Sequence, residues 1–176
     1  EVEPNENLDA ATEVELPCVV AGRLAKSGDV DTFRVSASKG QTLVVSVIAN
    51  RLLQSPVDAV LQVVDTEGHV LAQADDQRGL DPQLVFKVER DQAFYVRLFA
   101  FPETPNSTIG FAGAATFVYQ LRMTTGAFVD HVLPLSGKLD DSSDGSVQGW
   151  NLPKDAIAKS GSGNQFGCKA MYLPAA

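Results

Sequence analysis

Gly28-Asp29-Val30-Asp31-Thr32-Phe33-Arg34-Val35-Ser36, closed by Lys39-Gly40 and followed by Leu43-Val44-Val45-Ser46-Val47-Ile48, decides the fold. Side chains alternate faces along a strand, so Asp31, Phe33 and Val35 share one face while Thr32, Arg34 and Ser36 share the other. Lys39-Gly40 supplies a turn. In the run that follows, Leu43, Val45 and Val47 alternate with Val44, Ser46 and Ile48, so both faces are largely apolar and the strand belongs in the middle of a sheet.

The same period of two continues outward. Residues 59–65 form another apolar run, and Thr66-Glu67-Gly68 reads as a hairpin turn into residues 69–74. Leu84, Phe86 and Val88 alternate with polar neighbours. Arg90-Asp91-Gln92 turns into residues 93–101, with Phe94, Val96 and Leu98 facing inward. Phe117, Tyr119, Leu121 and Met123 close the set. Helical periodicity is absent apart from a short stretch around residues 8–13. The expectation is all-β: an antiparallel, jelly-roll-like β-sandwich of about eight strands. It occupies residues 1–126. Residues 127–176 are more polar and rich in Gly and Ser, with one strand-like stretch at 129–139. They read as a partly irregular C-terminal extension or the truncated start of a second β domain.

The chain has 176 residues, 44% of them hydrophobic, and a net charge of −8. That charge repels phosphate backbones and anionic membranes, which argues against nucleic acid as a partner. No apolar run approaches the roughly 18 residues that span a bilayer. The abrupt acidic start, without a visible signal peptide, reads as a piece of a longer protein. The cysteines, Cys18 and Cys168, are too far apart in sequence for a zinc knuckle. They are open to two readings, a disulfide formed in an oxidising compartment or two buried thiols.

Two acidic segments stand out. Glu1-Val2-Glu3-Pro4-Asn5 places Glu1, Glu3 and Asn5 on one side of an extended run, and Asp29 and Asp31 open the deciding strand. Carboxylate and amide oxygens grouped in this way suit a hard cation, and calcium takes six to eight of them. Turn chemistry at Asp29 and a solvated arm at Glu1 and Glu3 form the competing reading. Asp31 resists that second reading, because a carboxylate on the Phe33 face is costly without a partner. Asp75, Asp76 and Asp81 frame a loop containing Gly79 and read as a solvated turn. His69 and His131 are the two histidines, and no local motif joins either to a nucleophile, so no catalytic residue is assigned. Residues 102–115 form a long connection carrying Ile109 and Phe111, expected to cover one open end of the core. Tyr119 faces inward by phase, which argues against a binding platform shared with Tyr95 and Trp150.

The order of these motifs carries a resemblance. Glu-Val-Glu-Pro-Asn is followed by Leu16-Pro17-Cys18-Val19-Val20-Ala21-Gly22-Arg23-Leu24, Gly28-Asp29-Val30-Asp31-Thr32-Phe33 and Lys39-Gly40-Gln41. Ser55-Pro56-Val57-Asp58-Ala59-Val60-Leu61, Asp65-Thr66-Glu67-Gly68, Asp75-Asp76, Gly79-Leu80-Asp81 and Tyr95-Val96-Arg97 follow. The series resembles the bacterial pre-peptidase C-terminal domain over residues 1–125. Relatives of that domain include the collagen-binding domains of clostridial collagenases, in which matching acidic segments hold calcium. Leu16-Pro17-Cys18 and Gly149-Trp150-Asn151-Leu152-Pro153 are similar to variants in large planctomycete surface or secreted proteins. The resemblance implies a non-enzymatic accessory module, extracellular, at the cell surface or periplasmic, that orients or anchors neighbouring domains of its parent. The alternative reading is a binding module whose sheet face recognises extracellular polysaccharide or a fibrous protein such as collagen.

Overall fold

The structure is a computed structural model of the chain. It describes residues 1–102, 110–135, 145–154 and 156, and the backbone alone at 157–160 and 171–172. The chain divides into two compact units, Glu1–Thr125 and Gly126–Ala176.

The first unit is the sandwich. One sheet has five strands in the order β1 (Thr12–Glu13), β3 (Val30–Ala37), β9 (Gln92–Ala100), β5 (Ala59–Val64), β6 (Val70–Ala74). The other has four, in the order β2 (Cys18–Arg23), β10 (Val118–Thr124), β4 (Thr42–Ile48), β8 (Gln83–Lys87). The doubly apolar β4 lies between β10 and β8, as its pattern requires. Among the named pairings of the unit, β1 with β3 is parallel and the others are antiparallel. The two-residue β1 has no hydrophobic alternation to announce it.

Phe33, Leu43, Leu61, Phe94, Leu98, Leu121 and Met123 are fully buried between the sheets. Burying a side chain of this size stabilises the fold by about 1.5–3 kcal/mol. The outward face of the five-stranded sheet is also covered in part. Val30, Phe99 and Val60, neighbours in register on β3, β9 and β5, form a second cluster with Phe111. Phe111 therefore covers the outside of a sheet, not an open end of the core; Ile109 lies outside the described residues. The segment bearing Phe111 is seated on the turn before β3. Gly28 N donates to Phe111 O at 2.9 Å, Ser27 Oγ to the same oxygen at 3.1 Å, and Ala114 N to Leu24 O at 2.9 Å. Any side chain at Gly113 would strike the Lys26 backbone, its Cβ falling 1.8 Å from the carbonyl oxygen.

Two local elements depart from the sequence reading. A single-turn helix, α1 (Asn50–Leu53), follows β4, and a short strand, β7 (Gln77–Leu80), runs from the exposed, solvated Asp75 and Asp76 to Asp81. They meet at Asp81, which is buried. Its Oδ1 accepts from Ala49 N (3.2 Å) and Asn50 N (2.7 Å), and its Oδ2 from Arg51 N (3.2 Å). Ala49 offers no side-chain cap to α1. Asp81, 30 residues away from Arg51, supplies it by satisfying the orphan amides that begin every helix.

In the second unit β11 (Phe128–Leu133), β12 (Gly145–Trp150), β13 (Ile157–Ser160) and β14 (Met171–Tyr172) pair in sequence order as an antiparallel sheet. The polar tail thus carries more regular structure than its composition indicated. Gly149 lets β12 approach β11 closely, since a Cβ there would lie 2.0 Å from Phe128 O.

Candidate metal centre

The N-terminal arm is sewn to the sandwich. Glu1 N donates to Ala21 O at 2.8 Å, and Arg23 N donates to Glu1 Oε2 at 2.7 Å. Thr12 Oγ1 donates to Val2 O at 3.3 Å, and Thr32 N to Asn5 O at 3.0 Å. Backbone bonds at both ends of the arm fix its course across the first residues of β3. The arm is not a loose end.

This course brings four of the five predicted ligands into two neighbouring groups that share Glu3, with Asn5 beside Asp31. Ligand oxygens of Glu1, Glu3 and Asp31 lie within 4.8 Å of one another, and those of Glu3, Glu6 and Asp29 do the same. Glu3 belongs to both groups. The 4.8 Å limit is about twice a calcium–oxygen distance of 2.3–2.6 Å, so one such ion spans either group. Magnesium, at about 2.0–2.1 Å, demands tighter packing, and zinc prefers nitrogen and sulfur.

Asn5 is the most telling member. It is completely buried, and neither Oδ1 nor Nδ2 has a hydrogen-bond partner. Its backbone N donates to Glu3 Oε2 at 3.2 Å, and its side-chain amide lies beside the Asp31 carboxyl. Asp29 and Asp31 are also fully buried, and Oδ1 of each is unpartnered. A buried polar atom left without a partner costs about 1–3 kcal/mol. The orphaned oxygens Asn5 Oδ1, Asp29 Oδ1 and Asp31 Oδ1 are of the kind a cation takes up, and Asp31 and Asp29 belong to groups that share Glu3. The remaining oxygens are engaged: Asp29 Oδ2 accepts from Ala25 N, and Asp31 Oδ2 accepts from Tyr119 Oη at 2.6 Å.

Proton count sharpens the point. Tyr119 Oη also lies 3.0 Å from Glu1 Oε2. One hydroxyl proton cannot fully serve two carboxylates, so a second proton or a cation must relieve the crowding. Burial pushes the Asp31 carboxyl up to about 7; the Tyr119 hydroxyl and the nearby Asn5 amide oppose this, and the Glu1 charge adds to it. Asn5 is near enough to favour the carboxylate without forming a well-shaped hydrogen bond. Glu3 is raised by burial and then by the charges of Asp29 and Glu6. Tyr119 is raised by burial and the Asp31 charge, so its hydroxyl keeps its proton.

No family model matches the chain, and no curated protein matches it. Solved structures to which the chain is similar include the pre-peptidase C-terminal domain of collagenase from Bacillus anthracis, at 13% identity and a TM-score of 0.49, covering 70% of this chain and 100% of that one. Another is PliG of Aeromonas hydrophila, a periplasmic inhibitor of g-type lysozyme, at 12% identity and a TM-score of 0.45, covering 65% of this chain and 96% of that one.

Glu6 is the ligand candidate that strand alternation leaves out. Alternation sends it away from Glu3, but the chain bends at Glu6 and Asn7 before a short 3-10 helix, Leu8–Ala10. Lys26 Nζ contacts Glu6 Oε1 at 3.0 Å, and that hydrogen bond holds Glu6 below the usual carboxylate range. Cys18 is half-buried on β2, and Cys168, its proposed disulfide partner, lies outside the described residues. Tyr119 is buried against the acidic cluster and contributes to no surface platform.

Gly22 is set by the same contacts. A Cβ there would fall 1.9 Å from Glu1 Oε2, 2.3 Å from Tyr119 Oη and 2.4 Å from Tyr119 Cζ. The Glu1 carboxylate can swing away, but the buried Tyr119 ring cannot without leaving Asp31. Gly22→Ala is expected to destabilise the protein by about 1–3 kcal/mol, the usual cost of overpacking. Urea unfolding measures it; a change within about 0.5 kcal/mol of zero would show that Tyr119 has room to move.

Proposed function

We propose that the Glu1–Thr125 unit is a non-catalytic accessory module of a larger extracellular, cell-surface or periplasmic protein, with its N-terminal arm stapled to the sandwich by calcium. Glu1, Glu3, Asn5, Asp29 and Asp31 hold the ion, with Glu6 at the margin. The observation that carries this reading is the fully buried Asn5, whose amide has no partner while it lies among carboxylates. Bound calcium would supply charge neutralisation and six to eight coordination positions. The chain's residues do the rest: Arg23 N and Tyr119 orient Glu1 and Asp31, and Thr32 N fixes Asn5 through its carbonyl. The mechanical result is a fixed exit direction for whatever chain the arm joins.

The non-catalytic reading is supported by how the polar residues are used. Asp31 and Tyr119 are locked together, and Asp81 is spent on a helix cap. His69 and His131 are exposed, each beside an adjacent or nearby aspartate, Asp65 or Asp130. Among the described residues no helix is long and apolar enough to cross a membrane.

Calorimetry with calcium and with chelator tests the staple. An extracellular site with a dissociation constant of about 10⁻⁴ M, held at about one hundred times that concentration, stabilises the fold by about 2.7 kcal/mol. The unfolding midpoint then rises by roughly 10 °C. Asn5→Ala and Asp29→Asn should each remove most of the rise. An unchanged midpoint in the unsubstituted protein would sink the proposal.

A further inference from the structure

Beside the Phe111 cluster, on the outward side of the five-stranded sheet, lies a groove of about 260 Å³ walled by Val60, Phe99, Phe101, Pro102 and Phe111. Phe99 and Phe111 stack with centroids 4.3 Å apart, and Phe101 is 53% exposed. Gln73 and Asp75 form its polar rim. Asp75 follows β6, and Asp76 comes next. Asp58 lies just before β5, where Phe101 N donates to its carbonyl at 2.7 Å, so it borders Phe101. The charges of Asp76 and Asp75 reach Asp58: burial raises its carboxyl first, and those two neighbours raise it further. None of the three has an ion-pair partner among the described residues.

We propose that this groove docks a basic peptide segment of a partner protein, one that places an apolar side chain between Phe101 and Phe111 and a Lys or Arg beside Asp58, Asp75 and Asp76. The volume lies below the roughly 300–1,000 Å³ of small-molecule pockets and suits one or two side chains. The wall is apolar, so it takes an apolar group. The rim is acidic, and among the described residues no ion pair neutralises Asp58, Asp75 or Asp76, so the same ligand carries positive charge; an Arg or Lys there also gains from the faces of the phenylalanine rings. A sugar fits less well, because Gln73 and Asp75 are too few polar groups for a ring of hydroxyls. The docking uses none of the candidate calcium ligands, so the peptide is expected to bind in chelator as well as in calcium, and failure of one proposal leaves the other standing.

The test uses the full chain and fluorescence anisotropy of a labelled nonapeptide of alternating leucine and lysine, in calcium and in chelator. A leucine–glutamate peptide of equal length and a set of soluble glucan oligosaccharides serve as the other arms. Saturable binding of the basic peptide is expected, with a dissociation constant on the order of 100 μM that weakens as salt rises. Phe101→Ser and Asp75→Asn should each weaken it at least about fivefold. Glu89→Gln, which removes the same charge as Asp75→Asn from an exposed position far along the sandwich, should leave it unchanged. Unfolding midpoints confirm that each variant is folded, and Asp75→Asn alone decides if Phe101→Ser is not. Absent saturation, equal binding of the acidic peptide, an equal effect of Glu89→Gln, or binding of oligosaccharide alone would each overturn the proposal.

Discussion

Asp81→Ala should lower the free energy of unfolding by about 3–5 kcal/mol, because it strands three backbone amides that have no other cap. Ala49 N and Asn50 N lose Oδ1, and Arg51 N loses Oδ2, at a site that is 1% exposed. Water cannot readily replace the lost acceptors on the Ala49 side, where the residue is itself fully buried. The Arg51 guanidinium, 3.9 Å from Asp81 and half-exposed, adds little by comparison. Asp81→Asn keeps one carbonyl acceptor and should lose roughly half as much. Chemical denaturation of the three proteins gives the ranking. If Asp81→Ala and Asp81→Asn fall together within about 0.5 kcal/mol, the capping account fails.

In chelator, the protein should lose stability as pH rises from about 4 to about 7, and calcium should abolish that loss. Asp31 is held at about 7, against an ordinary value of 3.8. A carboxyl whose folded pKa exceeds its unfolded one stabilises the fold while protonated. That contribution is complete below the unfolded value and disappears as pH climbs through the folded one. Each unit of difference is worth about 1.4 kcal/mol, so the loss across the window is on the order of 3–4 kcal/mol. Glu3, also raised but exposed, adds to the trend in the same direction. Calcium favours the carboxylate form, so its affinity should increase about tenfold per pH unit over the upper part of this window. Asp31→Asn should flatten the metal-free curve. Urea denaturation at a series of pH values measures it, and a level curve in chelator would contradict the burial of a strained Asp31.

Much of the sandwich was legible because strand periodicity is a local property. Phe33, Phe94 and Leu98 face the core at the predicted phase, and β4 is interior because both of its faces are apolar. The same logic put Asp31 on the Phe33 face and marked it as a carboxylate needing a partner. It did not name that partner, since Tyr119 is 88 residues away. Asp81 fails for the same reason: its role is set by amides some 30 residues earlier in the chain. Glu6 was hidden by a bend that alternation does not describe, and β1 by being two residues long. Phe111 was visible as an apolar residue in a long connection, but which surface it covers depends on the Gly28 and Ser27 contacts. Contacts that close long loops leave no period in the sequence.

The Phe111 carbonyl, gripped by Gly28 N and Ser27 Oγ, joins two regions of the molecule. The turn that offers those donors also offers Asp29, one of the proposed cation ligands, and Asp29 N is itself tied to Lys26 O at 3.1 Å. A cation held at the proposed site and tightening this turn would therefore also steady one wall of the aromatic groove. Binding free energies around a closed cycle must sum to zero, so a ligand pressing on Phe111 would strengthen cation binding by the same factor. Such a module would grip its partner harder where calcium is abundant and release it where calcium is scarce.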